Sequence, residues 1–331
     1  MFKILLGIFL FLLIIFIHEL GHFATAKMLK IYVYEFAVGF GPKLFKWKRK
    51  ETNYSIRLLP LGGFCNFDPP EDDNLVDKYN DVSLLNDCKP WKRFLVLISG
   101  VLYNLLSILV AVFILNIFIG YPSLEISEVL DNSIAYEYNI KSGDEIISVN
   151  DKFFKDAQEL INSKELLKSD IKIDIKSTNG EQRHIIINKI SGEKIGVTFK
   201  YKTNILRALK DFIPTYINFT KNIFNQFIGI FKNVQTDQLM GPVGVLSYIS
   251  NQTISVLNYL MLFIGISYSV AFFNLIPMPP LDGGLIILLI IEKIFNKKIS
   301  DIISKTLIII GTIILLSLTF FVLYRDVIKL F

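Results

Sequence analysis

The sequence predicts a multi-pass α-helical membrane protein of about four transmembrane helices. It also predicts one soluble α+β domain and a β-hairpin in the loop between the first two spans. Three observations carry this. Of the 331 residues, 52% are hydrophobic and 28 are Phe, with a mean hydropathy of +0.47; such a composition gathers its polar residues in loops. Long apolar runs lie at residues 4–28, 94–119, 254–291 and 306–324. Lys and Arg cluster at the borders of those runs, so the net charge of +5 reports membrane orientation. Membrane lipid is therefore an expected partner and nucleic acid is not.

The first run resembles the core of a signal peptide, but no small-residue cleavage site follows Ile17 and the run continues into His18. Residues 4–28 are thus expected to be a retained helix, long enough for a hydrocarbon core of ~30 Å. The loop that follows carries Lys27, Lys30, Lys43, Lys46, Lys48, Arg49, Lys50 and Arg57, then Lys89, Lys92 and Arg93. That bias places the loop in the cytoplasm and the N-terminus outside. Within it, Gly39–Pro42 and Leu59–Phe64 read as turns flanking strands at Lys43–Trp47 and Tyr54–Leu59. The result would be a hairpin dipping towards the membrane, with an edge able to pair with an extended chain. Asp68–Asp73 reads as a solvated loop, and Cys65 and Cys88 as reduced thiols.

After the second span, residues 121–200 become charged and strand-like. Ile171, Ile173 and Ile175 alternate with polar residues, Asn179-Gly180 signals a hairpin, and Ile185 and Ile187 resume the alternation. One span beyond a cytoplasmic loop, this domain is expected outside. Residues 203–233 suit an amphipathic helix on the outer surface, interrupted by Pro214, because a fifth span would separate the two halves of the site described below. The run at 254–291 exceeds one crossing and contains Pro277, Pro279, Pro280, Gly283 and Gly284, which predicts a helix, a non-helical break and a second helix. Lys293, Lys297, Lys298 and Lys305 then mark the cytoplasmic side, and the last span returns the C-terminus outside. The domain organisation is 1–120, membrane core; 121–200, soluble domain; 201–250, interfacial connector; and 251–331, second part of the core.

The chemistry lies in Phe16-Ile17-His18-Glu19-Leu20-Gly21-His22-Phe23. Two histidines four apart share a helix face and can chelate one metal, and Glu19 beside them is placed to act as a base towards a water molecule there. Asp282 is the sole acidic residue between Ile254 and Ile291. Two imidazoles, one carboxylate and an open position form a catalytic zinc set. His18 sits ~21 Å down its helix at 1.5 Å per residue, and Asp282 is similarly far along a helix entering from outside, so both reach the cytoplasmic half of the membrane.

These motifs resemble the site-2 protease family of intramembrane zinc metalloproteases, of the regulator-of-sigma-E-protease type. His18–His22 matches its first motif, and Asn274 through Gly283 matches its N-x-x-P-x-P-x-L-D-G motif. Gly39–Pro42 and Pro60–Phe64, the latter containing Gly62 and Gly63, are similar to the segments bracketing its membrane-associated β-hairpin. Gly241–Gly244 resembles its G-P-x-G element. Residues 121–200 look like a PDZ domain, through Ser142–Asn150 and Ile195-Gly196-Val197, although Asp151 stands where a glycine is usual and Tyr138-Asn139-Ile140 replaces A-G-L.

The resemblance implies a three-helix catalytic core in the inner or plasma membrane, with an extracytoplasmic PDZ-like domain. It implies one zinc ion per chain on His18, His22 and Asp282, and metalloendopeptidase activity with Glu19 as base. Asn274 would hold the substrate backbone, Pro277 and Pro279 would keep the third helix unwound, and Gly62 and Gly63 would shape the hairpin or bind substrate. Expected partners are single-span membrane proteins, such as anti-sigma factors or remnant signal peptides, and an upstream site-1-type protease. Two other functions compete. A metal transporter would need further ligands along a path, whereas His184 and the cysteines lie outside the spans. A catalytically inactive PDZ adaptor would not need Glu19.

Overall fold

The computed structural model describes residues 2–68, 83–188, 192–233, 242–251 and 254–328. The acidic stretch after Asp68, and Gly241, lie outside them. The chain divides into two compact units, one of Met1–Val112 with Ile213–Phe331 and the other of Phe113–Phe212.

The first unit is helical around a small sheet. Helix α1 (Phe2–Met28) and helix α2 (Pro90–Ile119) are apolar around most of their circumference, as suits helices long and apolar enough to cross a membrane. Between them, β1 (Glu35–Arg49) and β2 (Thr52–Asn66) pair. Both strands run through the segments expected to be turns, so the expected turns are a correction. Phe36 pairs with both Tyr54 and Cys65, and the register shifts around Gly39–Lys43. The glycines bend the strands without ending them: Gly39, Gly41 and Gly62 have φ of 90°, 83° and 143°, a region open to glycine. The reversal comes instead at Lys50, with φ 51°. Buried Glu35 pins the fold, its Oε1 accepting from Ser55 Oγ (2.7 Å), Arg57 Nη2 (2.9 Å) and Lys43 Nζ (2.9 Å).

The remaining helices are α5 (Ile205–Asn233), α6 (Pro242–Asn251), α7 (Val256–Asn274), α8 (Asp282–Ile294) and α9 (Asp301–Ile328). The numbers α3 and α4 belong to the second unit. Among the described residues, α1, α2, α7 and α9 are long and apolar enough to cross a membrane. The run at 254–291 folds as helix, break and helix, the break being residues 275–281. Three glycines let it pack. A Cβ on Gly283 would lie 2.7 Å from Ile276 O, while Gly284 and Gly311 of α9 abut the backbone of Pro279. Helix α5 continues through Pro214, and its aromatic face is used against α7. Thr220 Oγ1 lies 2.6 Å from the hydroxyl of fully buried Tyr268, and Phe224 and Phe227 meet Phe272 edge-on or tilted.

The second unit is a six-stranded sheet in the order β7-β6-β4-β3-β8, with β5 on β4. Its strands are β3 (Tyr121–Val129), β4 (Glu145–Val149), β5 (Lys152–Phe153), β6 (Asp170–Lys176), β7 (Gln182–Asn188) and β8 (Val197–Lys202), with short helices α3 (Ile134–Glu137) and α4 (Ala157–Ser163). The isoleucine alternation is the reason for its core: Ile171, Ile173, Ile175 and Ile187 are all buried. Buried Asp144 accepts from Arg183 Nη2 (2.6 Å) and from the Lys141 amide (3.0 Å). Asn150 accepts from the Lys172 amide (2.9 Å) and donates to Glu165 (2.8 Å). Asp151 holds φ 59°, a left-handed conformation that Asp tolerates better than most residues.

Candidate metal centre and active site

Helix α1 presents His18, Glu19 and His22, all buried among apolar neighbours, and α8 begins with Asp282. The sequence motif sets only the first pair; the break after α7 brings in the third. His18 Nε2 lies 3.1 Å from Asp282 Oδ2, His22 Nε2 lies 3.4 Å from the same oxygen, and the two Nε2 atoms are 3.3 Å apart. These atoms are the closest-facing donors of the one group of metal-binding side chains found among the described residues.

The size of this triangle decides what fits. Zinc bonds of ~2.0–2.1 Å in a tetrahedron place neighbouring ligand atoms ~3.3–3.4 Å apart, close to the 3.1–3.4 Å observed. Asp282 Oδ2 is also buried without a hydrogen bond, a costly arrangement for a carboxylate oxygen that nothing else satisfies. The residues therefore fit a tetrahedral divalent cation with one position left over. His22 Nδ1 lies 2.8 Å from Val96 O; a carbonyl can only accept, so Nδ1 carries the proton and Nε2 offers its lone pair to the triangle.

Residues 6–318 match the profile described as "Peptidase family M50". The chain belongs to peptidase family M50. Relatives of this M50 peptidase extend along nearly its whole length. A Clostridium perfringens protein is 30% identical over 98% of this chain and 98% of its own length. One from Fusobacterium nucleatum is 30% identical over 96% of each chain. One from Synechocystis is 31% identical over 95% of this chain and 91% of its own length. Each bears the name "Putative zinc metalloprotease".

The other singled-out residues of the M50 peptidase lie in the hairpin, at the end of α7 and in the break. Gly63 packs against Glu19: an added Cβ would sit 2.8 Å from Glu19 Cγ and 2.9 Å from Ala37 O. Two residues on, Cys65 Sγ donates to Glu19 O at 3.4 Å. Gly62 has no room for a side chain either, with Phe40 Cζ 2.9 Å from the Cβ position. Residues 63–66 pair with 35–38 on one side, and no further strand joins that sheet among the described residues. Pro277 and Pro279 lie in the break. Asn274 ends α7, with Nδ2 donating to Val270 O of its own helix at 2.9 Å.

Sequence reasoning missed the part played by α2. A Cβ on Gly100 would collide with His22 Nε2 and lie 2.7 Å from His18 Cε1 and His22 Cε1, and one on Gly21 would lie 2.5 Å from Ser99 O. Paired glycines thus bring α1 and α2 into backbone contact and leave room for the imidazoles. Asn104, fully buried, sits 3.5 Å from His18 Nδ1, and Arg93 Nη1 binds Glu292 Oε2 at 2.7 Å, joining α2 to α8. The available signal was a glycine and an asparagine four apart inside an apolar span, where polar groups are expensive.

Proposed function

We propose that this M50 peptidase is an intramembrane zinc metallopeptidase that hydrolyses peptide bonds in or beside the transmembrane segments of single-span membrane proteins. The observation that carries the reading is the buried 3.1–3.4 Å triangle of His18, His22 and Asp282, of zinc-binding size and beside a buried glutamate. The names of the full-length relatives agree with zinc and with proteolysis.

His18 Nε2, His22 Nε2 and Asp282 Oδ2 are the atoms that would hold the ion, one per chain. When bound, zinc supplies Lewis acidity that polarises a peptide carbonyl and acidifies a water molecule. Glu19 accepts the proton of the attacking water on its carboxylate and delivers it to the departing amide nitrogen. A helical substrate hides its amides in internal hydrogen bonds and has to open before attack. The Gly62–Asn66 edge beside Glu19 offers main-chain partners to the opened stretch, which offsets the lost helix bonds. Asn274, at the end of α7, holds the substrate backbone. Pro277 and Pro279 keep the break from winding into helix, because each lacks an N–H.

The α+β unit is PDZ-like by its signature residues and screens substrates, admitting those already shortened by a site-1-type protease. Substrates of this kind include anti-sigma factors and remnant signal peptides. The lysine-rich loops support a plasma-membrane topology with the hairpin inside and both termini and the PDZ-like unit outside. Purified Glu19→Gln is expected to retain zinc and fail to cut a single-span substrate; cleavage by that variant at the wild-type rate would refute the assignment.

A further inference from the structure

The geometry points to Asn104 as a positioning residue, one that fixes the tautomer and aim of His18 by accepting a hydrogen bond from its Nδ1–H. The inference rests on the zinc site proposed above. An imidazole that ligates through Nε2 has to keep its proton on Nδ1, and that proton needs an acceptor when water is excluded. For His22 the acceptor is Val96 O, at 2.8 Å. For His18 the group facing Nδ1 is the Asn104 carboxamide, its Nδ2 at 3.5 Å.

Asn104 is fully buried, and its Oδ1 has no hydrogen-bond partner. A half-turn of the amide exchanges Nδ2 and Oδ1 and brings this orphaned acceptor to the His18 ring. The opposite orientation makes Nδ1 an acceptor and moves the ring proton to Nε2. It would then point at His22 Nε2 and Asp282 Oδ2, 3.3 and 3.1 Å away, where it would keep a cation out. Only the orientation with Oδ1 facing the ring is compatible with ligation.

The placement has a periodic logic. Val96, Gly100 and Asn104 are spaced by four and therefore share one face of α2. Along that face the helix supplies an acceptor for His22, a gap for both rings, and a second acceptor for His18. Packing alone would be served by leucine, which carries no cost for a buried amide.

The test is the zinc dissociation constant of the detergent-purified full chain, measured by competition with a chromophoric chelator for wild type, Asn104→Leu and Asn104→Asp. Leucine keeps the branched shape, with a modest gain in volume, and removes the acceptor; aspartate keeps an acceptor of the kind most often found behind metal-bound histidines. Loss of such a partner typically weakens metal binding 10–100-fold, so N104L is expected to fall ~10–100-fold and N104D to stay within about threefold of wild type. N104L binding within about threefold of wild type, or N104D as weak as N104L, would overturn the proposal. If N104L does not fold, N104D decides alone: retention supports the acceptor role, and a loss of about tenfold or more rejects it. A wild-type chain that binds no zinc would instead bring down the metal site itself.

Discussion

Replacing Gly100 by alanine is expected to empty the metal site of an otherwise folded protein. The added methyl would stand 2.7 Å from ring carbons of both His18 and His22, where ordinary contact begins at 3.4 Å. One side has to retreat by ~0.7 Å, several times the ~0.2 Å tolerance of a metal–ligand bond. If the rings move, the triangle opens. If α2 moves, His22 loses Val96 O, at 2.8 Å, and the Gly21–Ser99 backbone contact parts. The strain of such overpacking is ~1–3 kcal/mol in well-packed interiors. Because both routes act on ligands, zinc affinity should fall by about two orders of magnitude, equivalent to ~2.7 kcal/mol. The assay is chelator competition on the detergent-purified chain, with Gly265→Ala as the control, since a Cβ at Gly265 meets nothing within 4 Å. Wild-type zinc affinity in G100A, with G265A also normal, would refute the reasoning.

Asp282→Ala should lower bound zinc well below one per chain, measured by elemental analysis; unchanged stoichiometry would exclude Asp282 as a ligand. Gly311→Ala would press a methyl onto Pro279 O and should cost ~1–3 kcal/mol of overpacking, read as a lower thermal midpoint, with loss of zinc if the break carrying Asp282 shifts. Asp326 Oδ2 accepts from the Gly244 amide in the first turn of α6 at 2.7 Å; Asp326→Ala should cost ~0.5–2 kcal/mol, as loss of a helix cap does, and speed amide exchange at 242–251. In the second unit, hydrogen bonds from Lys152, Lys168 and Asn150 hold the Glu165 carboxyl down from its ordinary 4.5 to about 2. A depressed carboxylate stabilises the fold above its unfolded value and loses that contribution as pH falls from about 4.5 to about 2. Glu165→Gln should therefore flatten the acid destabilisation of residues 113–212, read by hydrogen exchange in the intact chain; an unchanged acid profile would contradict that account.

How much of this was legible beforehand depends on the range over which each signal acts. Hydropathy placed the four long helices, the helix–break–helix region and the isoleucine alternation of the β unit, because burial in lipid or in a sheet core repeats along the chain itself. The two metal motifs could likewise be read as residue types at fixed spacing. The glycines of the hairpin were misread as turns because local propensity does not distinguish a reversal from a bulge; cross-strand pairing of Phe36 with both Tyr54 and Cys65 makes that choice.

By itself, then, the sequence determined the long apolar helices and the His, Glu and Asp residue types of the two motifs. Tertiary structure decided that three donor atoms from α1 and α8 meet at 3.1–3.4 Å, that Gly63 rests on Glu19, and that α2 forms the wall behind both imidazoles. Which face of an apolar helix meets its neighbour depends on the shapes of both helices, and one small residue such as Gly100 has no meaning until the ring it admits is in place.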